Sequence, residues 1–180
     1  MDAPHPVLRA WRDEDLEGLV ALHHHPDVYP WLGGRQSEAV IKAIYERLRT
    51  QIEAQGWGAW VVRNEADELI GVAGLDPIGE GMPVSGIEAL WRLHPESWGR
   101  GLVTQAMRAV LADAFEQRGI ESVWTYTADS NRRSQAVMER LGFERSPGQD
   151  FDHPRLAADH PLSRHVVYRM EAVSVSGVVH

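Results

Sequence analysis

Apolar positions recur along this chain with two periods, and the switches between them mark out the elements. After a strand-like run at residues 7–11, Leu16, Leu19, Val20 and His23 fall at i, i+3, i+4 and i+7. That is one face of a helix, with Asp13, Glu14 and Asp15 in its first turn, where the dipole favours acids. Pro26 ends it. Ser37 is set to cap a second helix with the stripe Val40, Ile41, Ile44, Leu48 and Ile52, closed by Gly56 and Gly58. The period then shortens to that of strands. Residues 59–63 and 69–75 flank a polar turn as a predicted hairpin, and residues 87–93 follow as a third strand after the Pro- and Gly-bearing loop 76–86. A helix buries Val103, Ala106, Met107, Val110, Leu111 and Ala114 and stops near Gly119. Residues 122–127 read as a strand, and the run Ala128-Asp129-Ser130-Asn131 opens a helix carrying Val137, Met138 and Leu141. Two last strands, 143–146 and 165–172, are joined by a long loop with three prolines. The predicted order is β-α-α-β-β-β-α-β-α-β-β: α/β (α+β), a mixed sheet with helices on its faces. No repeat or linker interrupts it, so residues 7–172 read as one domain and 173–180 as a C-terminal tail.

The chemistry concentrates where the third strand gives way to the third helix. From Trp91 to Thr104 the apolar run breaks at His94-Pro95, passes Gly99 and Gly101, and enters the amphipathic helix. The glycines let the main chain approach a ligand with no Cβ in the way. The unpaired N–H groups of the first helical turn, backed by the helix dipole, then suit a phosphate. A phosphorylated cofactor is therefore expected. A Rossmann fingerprint needs a third glycine where Thr104 stands, and the Gly-Lys-Ser/Thr triplet of a Walker loop is absent. Two glycines alone serve an ordinary strand-to-helix turn equally well.

Composition narrows the rest. The 180 residues contain no cysteine, which removes disulfides, zinc–thiolate sites and a cysteine nucleophile. A net charge of −8 argues against a nucleic-acid surface. No apolar run approaches a membrane span, and the first residues lack the pattern of a signal peptide, so no membrane association and a cytoplasmic location are expected. Nine histidines invite a metal. However, His23, His24 and His25 are consecutive and point about 100° apart on a helix, a poor ligand set. No metal is expected.

At this point a family resemblance emerges. The run Trp98-Gly99-Arg100-Gly101-Leu102-Val103-Thr104 resembles the acetyl-CoA pyrophosphate loop, Gln/Arg-x-x-Gly-x-Gly/Ala, of the GNAT N-acetyltransferases. Asp129-Ser130-Asn131-Arg132-Arg133-Ser134, ending in Leu141-Gly142-Phe143-Glu144, is similar to the Asn-x-x-Ser…Leu-Gly-Phe signature of the Rim-type ribosomal-protein N-acetyltransferases. The openings Leu8 to Asp15 and Leu69-Ile70-Gly71-Val72 fit in register. Two residues depart: Trp98 stands where Gln or Arg is usual, and Val103 where Gly or Ala is, so a β-branched side chain would crowd the pyrophosphate.

The resemblance implies the acyl-CoA N-acyltransferase (GNAT) fold, with a mostly antiparallel central sheet. It implies acetyl-CoA as co-substrate and transfer to a primary amine (a protein N-terminus, amino sugar or small amine) by direct attack in a ternary complex. CoA would lie in a splay between strands 87–93 and 122–127. Backbone groups near Leu90 to Leu93 would hold the pantetheine, and Gly99, Arg100, Gly101, Leu102, Val103, Thr104 and Asn131 the rest of the cofactor. Homodimer formation is left open.

Transfer needs a base for the amine and a donor for the leaving thiolate. Glu88 is the only acid in the strand leading to the loop, and its position matches a Glu of the Rim-type enzymes; the plain alternative is a surface residue. Ser134 shares the inward face of Val137, Met138 and Leu141 and is the candidate donor; the alternative is a bond to its own helix. Asn131 also suits a helix cap. Trp31, His153 and His160 are candidates for the acceptor pocket, with loop packing and turn hydrogen bonds as their ordinary roles. Three classes stay open: an N-acetyltransferase, a catalytically silent acyl-CoA-binding module, and a small metalloprotein using the histidine loops.

Overall fold

Residues 2–172 are described by a computed structural model; the tail 173–180 lies outside the described residues. The elements are β1 (Leu8–Arg9), α1 (Asp15–His24), α2 (Glu38–Gln55), β2 (Ala59–Arg63), β3 (Leu69–Pro77), β4 (Ile87–Leu93), α3 (Leu102–Glu116), β5 (Ser122–Ala128), α4 (Arg132–Leu141), β6 (Glu144–Arg145), β7 (Phe151–Asp152) and β8 (Arg164–Glu171). They form an 8-stranded sheet in the order β1-β2-β3-β4-β5-β8-β6, with β7 added beside β8. Neighbours are antiparallel except β4 and β5, which run parallel and are bridged by α3.

Strand alternation assigns the two faces. Asp76, Glu88 and Arg92 share one face, since Asp76 pairs with Glu88 and Val72 with Arg92. His23 of α1 and Arg47 of α2 reach Arg92 and Asp76, so α1 and α2 cover this face. The opposite face carries Val123, Val166 and Met170; the turn ending α4 packs at Met170, and α3 packs on α4. Ala106, Met107, Val110, Leu111 and Ala114 of α3 are all buried, as their spacing predicts. Each fully buried Leu or Met of this kind contributes about 1.5–3 kcal/mol.

Departures from the sequence reading have local causes. Strand β1 has two residues, because Arg9 turns aside to grip Asp15 through two 2.7 Å bonds and the Trp11 indole donates to Ala59 O at 2.8 Å. Asp15 thus serves an ion pair more than the helix dipole. Ser37 does cap α2, accepting from Val40 N, but Val40 itself is 46% exposed while Tyr45 and Gln51 turn inward. Strand β3 runs on through Asp76 and Pro77, which the sequence assigns to a loop. The short β7 lies inside the predicted long loop.

Candidate active site

Strand β4 ends at Leu93, and after His94 a 3-10 turn at Pro95–Ser97 carries the chain toward α3. Ser97 N donates to His94 O at 2.9 Å and Trp98 N to Pro95 O at 3.0 Å. The next backbone bond is the first of the helix, from Gln105 N to Gly101 O at 3.0 Å. Between them the amides of Gly99, Arg100, Gly101, Leu102, Val103 and Thr104 have no acceptor among the described residues. Gly99 and Gly101 hold φ of 73° and 74°, a left-handed conformation that turns successive N–H groups outward. Nothing lies within 4 Å of where a Cβ on Gly99 would sit. The loop is a row of donors left unpaired among the described residues, which fits a diphosphate.

Beside it the sheet splits. Strands β4 and β5 have one registered pair, Glu88 with Trp124. His94 N donates to Ile70 O at 2.8 Å, so alternate residues of β4 bond to β3, while Trp91 and Leu93 turn their backbone toward β5. On β5, Asp129 N donates to Arg164 O at 2.9 Å; by the same alternation Tyr126 and Ala128 turn theirs toward β4. Two rows of main-chain groups therefore face each other across a widening gap that opens at the anion loop. The Trp98 indole donates to Leu93 O at 2.8 Å and lies under Arg133, whose guanidinium carbon is 4.4 Å from the ring centroid. Trp98 thus fastens the loop to the end of β4, and Val103 turns its side chain onto the core instead of crowding the loop.

Glu88 stands at the root of the gap, on the face covered by α1 and α2. Its pKa is raised, chiefly by burial and further by Asp76; the Tyr126 hydroxyl, placed to donate to it, pulls the other way, as do Arg92 and Arg47. Burial, with Glu88 nearby, pushes the Tyr126 phenol well above its ordinary value. Arg47 Nη1 donates to both oxygens of Asp76 at 2.6 and 2.7 Å. Arg92 Nη1 lies 3.2 Å from His23 Nε2, and His23 Nδ1 lies 2.9 Å from Gln36 Oε1. A guanidinium only donates, so Nε2 accepts and Nδ1 carries the proton given to Gln36. Burial and Arg92 lower the His23 pKa to about 4, which keeps this ring neutral.

A profile of the acetyltransferase (GNAT) domain matches residues 6–144. The chain belongs to the GNAT acetyltransferase family. Among solved structures, the acetyltransferase from Agrobacterium tumefaciens str. C58 is 25% identical with a TM-score of 0.73, covering 91% of this chain and 89% of that one. The ribosomal-protein-S5-alanine acetyltransferase from Vibrio fischeri is 15% identical, with a TM-score of 0.71 and 93% of each chain covered. The Vibrio cholerae spermidine N-acetyltransferase, solved with CoA and spermine, is 17% identical, with a TM-score of 0.70 and coverage of 92% and 94%. At these low identities the last two show a shared fold.

Within the GNAT fold, the remaining expected residues divide. Asn131 caps α4: its Oδ1 accepts from Ser134 N at 3.2 Å and its Nδ2 donates to Thr127 Oγ1 at 3.1 Å. Both ends of that side chain are engaged within the protein. Ser134 is half-buried, and its hydroxyl has no hydrogen bond among the described residues, so a bond to its own helix is not its role. Trp31, 43% exposed, and His160 line one open cleft of about 270 Å³ with Pro30, Pro161 and Leu162. His153 joins another group: its ring centroid is 4.8 Å from that of His165, which stacks on Phe151, itself 5.4 Å from Tyr126. The consecutive histidines diverge, His23 inward to Gln36, His24 to Gln36 O at 2.9 Å, and His25 toward His94.

Four residues around Glu88 were not singled out from the sequence. Arg92 carried a readable signal, because residues four apart in a strand share a face. Asp76 was hidden by the early end assigned to β3. Arg47 and Tyr126 arrive by contacts between distant elements, and no local pattern marks them.

Proposed function

We propose that this protein is an acetyl-CoA-dependent N-acetyltransferase of the Rim-type subgroup, acting on a primary amine in a ternary complex, with residues 7–172 as its single catalytic domain. The observation that carries this reading is the row of unpaired amides from Gly99 to Thr104 opening onto the split between β4 and β5. The Asn131 to Leu141-Gly142-Phe143 motif supports the subgroup, and family membership supports acetyl transfer. Bound there, acetyl-CoA would supply a thioester whose carbonyl carbon an amine attacks, giving an amide and free CoA thiol.

The loop amides hold the diphosphate. The backbone of Trp91 and Leu93 pairs with the pantetheine arm and donates to the acetyl oxygen, where negative charge develops. Glu88 accepts the ammonium proton through a water; its raised pKa makes it a stronger base than an ordinary carboxylate. The free Ser134 hydroxyl donates to the departing sulfur. The cleft at Trp31 and His160, with His153 farther along the same loop, forms the acceptor wall. A protein N-terminus, an amino sugar and a small amine are all candidate acceptors. The neighbours' alanine and spermidine acceptors are two starting points for a screen.

Titration with acetyl-CoA by calorimetry tests the binding half. No measurable affinity for CoA or its acyl forms would remove the assignment. Thiol release on adding amines tests the catalytic half and separates an enzyme from a silent acyl-CoA-binding domain.

A further inference from the structure

Two guanidiniums act on Glu88, and a third lies near Tyr126 beside it. Arg47 comes from α2 and Arg92 lies on the same face of β4. Arg155 arrives from the β7–β8 loop, with Nη2 3.1 Å from where a Cβ on Gly79 would sit, and its charge reaches Tyr126. Among the described residues that act on Glu88, the one other carboxylate is Asp76, only 4% exposed. Arg92 is half-buried and donates through Nη1 to His23. Arg47 is not fully occupied. Its Nη1 alone serves Asp76, its Nε and Nη2 have no acceptor among the described residues, and its side chain is 53% exposed. A guanidinium pinned at one corner to a buried carboxylate is a fixed donor fork with its other edge open. Asp76 and Glu88 are direct partners on adjacent strands. Such partners sit about 5.5 Å apart at Cα, and Arg47, held on Asp76, acts on Glu88 through its charge, so the base and the fork share one neighbourhood for a small acceptor.

We propose that Arg47 binds a carboxylate carried by the acceptor beside its amine, which makes the acceptor an amino acid or a close derivative and not a polyamine. A second ammonium would meet Arg47, Arg92 and Arg155 as like charges. The proposal rests on the reading of the Glu88 face as the acceptor side of an acetyltransferase, and its test is separate from that reading.

CoA-loaded protein is titrated by calorimetry with matched amines that differ only in the carboxylate, phenylalanine against phenethylamine and β-alanine against ethylamine, with spermidine as a third probe. The carboxylated member of each pair is expected to bind about tenfold tighter, the scale of a charge-assisted fork. Arg47→Lys keeps a cation against Asp76 but loses the fork, so the preference should shrink below about threefold while CoA affinity is unchanged. Equal or tighter binding of the plain amines or spermidine overturns the proposal, as does a preference that survives Arg47→Lys. Carboxylated amines that fail to bind while CoA binds overturn it and leave the acetyltransferase reading standing. Failure of CoA itself to bind removes both.

Discussion

The loop from Gly99 to Thr104 offers main-chain amides, whereas the face around Glu88 offers side chains drawn from α1, α2, β3, β4 and β5. The first kind of site depends on φ at two glycines and on a helix start, so its residue identities are loosely constrained. Trp98 and Val103 illustrate this: both depart from the family pattern, yet Trp98 ties the loop down and Val103 packs away from it. On the other face the charges act on one another through named neighbours, and changing one alters the rest. Backbone sites tolerate sequence change, and side-chain arrays resist it.

The comparison is broken most sharply at Glu88. Glu88→Gln should lower kcat by about 10²-fold, the usual scale of a lost general base, with CoA affinity unchanged by calorimetry. Equal turnover across the whole pH range would take Glu88 out of the mechanism. Ser134→Ala comes next. Losing a hydrogen bond to a developing thiolate is worth about 1.5 kcal/mol, so thiol release should slow by about tenfold. A change in the KM for acetyl-CoA alone would make Ser134 a cofactor contact.

The same division explains what was legible beforehand. Helix α3 and strands β2 and β4 follow from periodicity, and the anion loop follows from Gly99 and Gly101, because local pattern and backbone geometry suffice there. The Glu88 array was only half visible. Glu88 itself stood out as a lone acid in an apolar strand, but its pairing with Asp76 depends on β3 continuing through Pro77. Arg47 and His23 sit on helices more than twenty residues from the strands they meet. The β7 pair Phe151 and Asp152 is too short to show a period, so His153 was read as loop and its ring contact with His165 left no local signal.

On the cofactor side the sharper test is conformational. Gly101 holds φ of 74° as the cap of α3, and a Cβ there would meet only Gln105 Nε2, at 3.7 Å. Gly101→Ala therefore strains the backbone more than it clashes. An L residue in that region costs about 1–2 kcal/mol, which should weaken CoA about tenfold if the loop relaxes out of its binding shape. Arg100→Ala at the exposed tip leaves the amides in place and should cost less. An Arg100 effect exceeding that of Gly101 would show that side-chain charge, not main chain, holds the anion.

The smallest effect is the most diagnostic for the acceptor side. Glu88 must be ionised to accept a proton, so kcat/KM should fall as pH drops through its pKa, which lies above the ordinary carboxylate range. Tyr126 stabilises the carboxylate, and Asp76 opposes it. Tyr126→Phe should accordingly move this acid limb to higher pH, by up to about one unit, the equivalent of a hydrogen bond of about 1.4 kcal/mol. Asp76→Asn should move it to lower pH, because a repelling charge is lost and Arg47 is freed to act on Glu88. Arg92 remains in both variants and biases each limb equally. Opposite shifts from neighbours on β5 and β3 identify the titrating group as the one between them. A limb that moves with neither substitution belongs to the acceptor amine or to another residue.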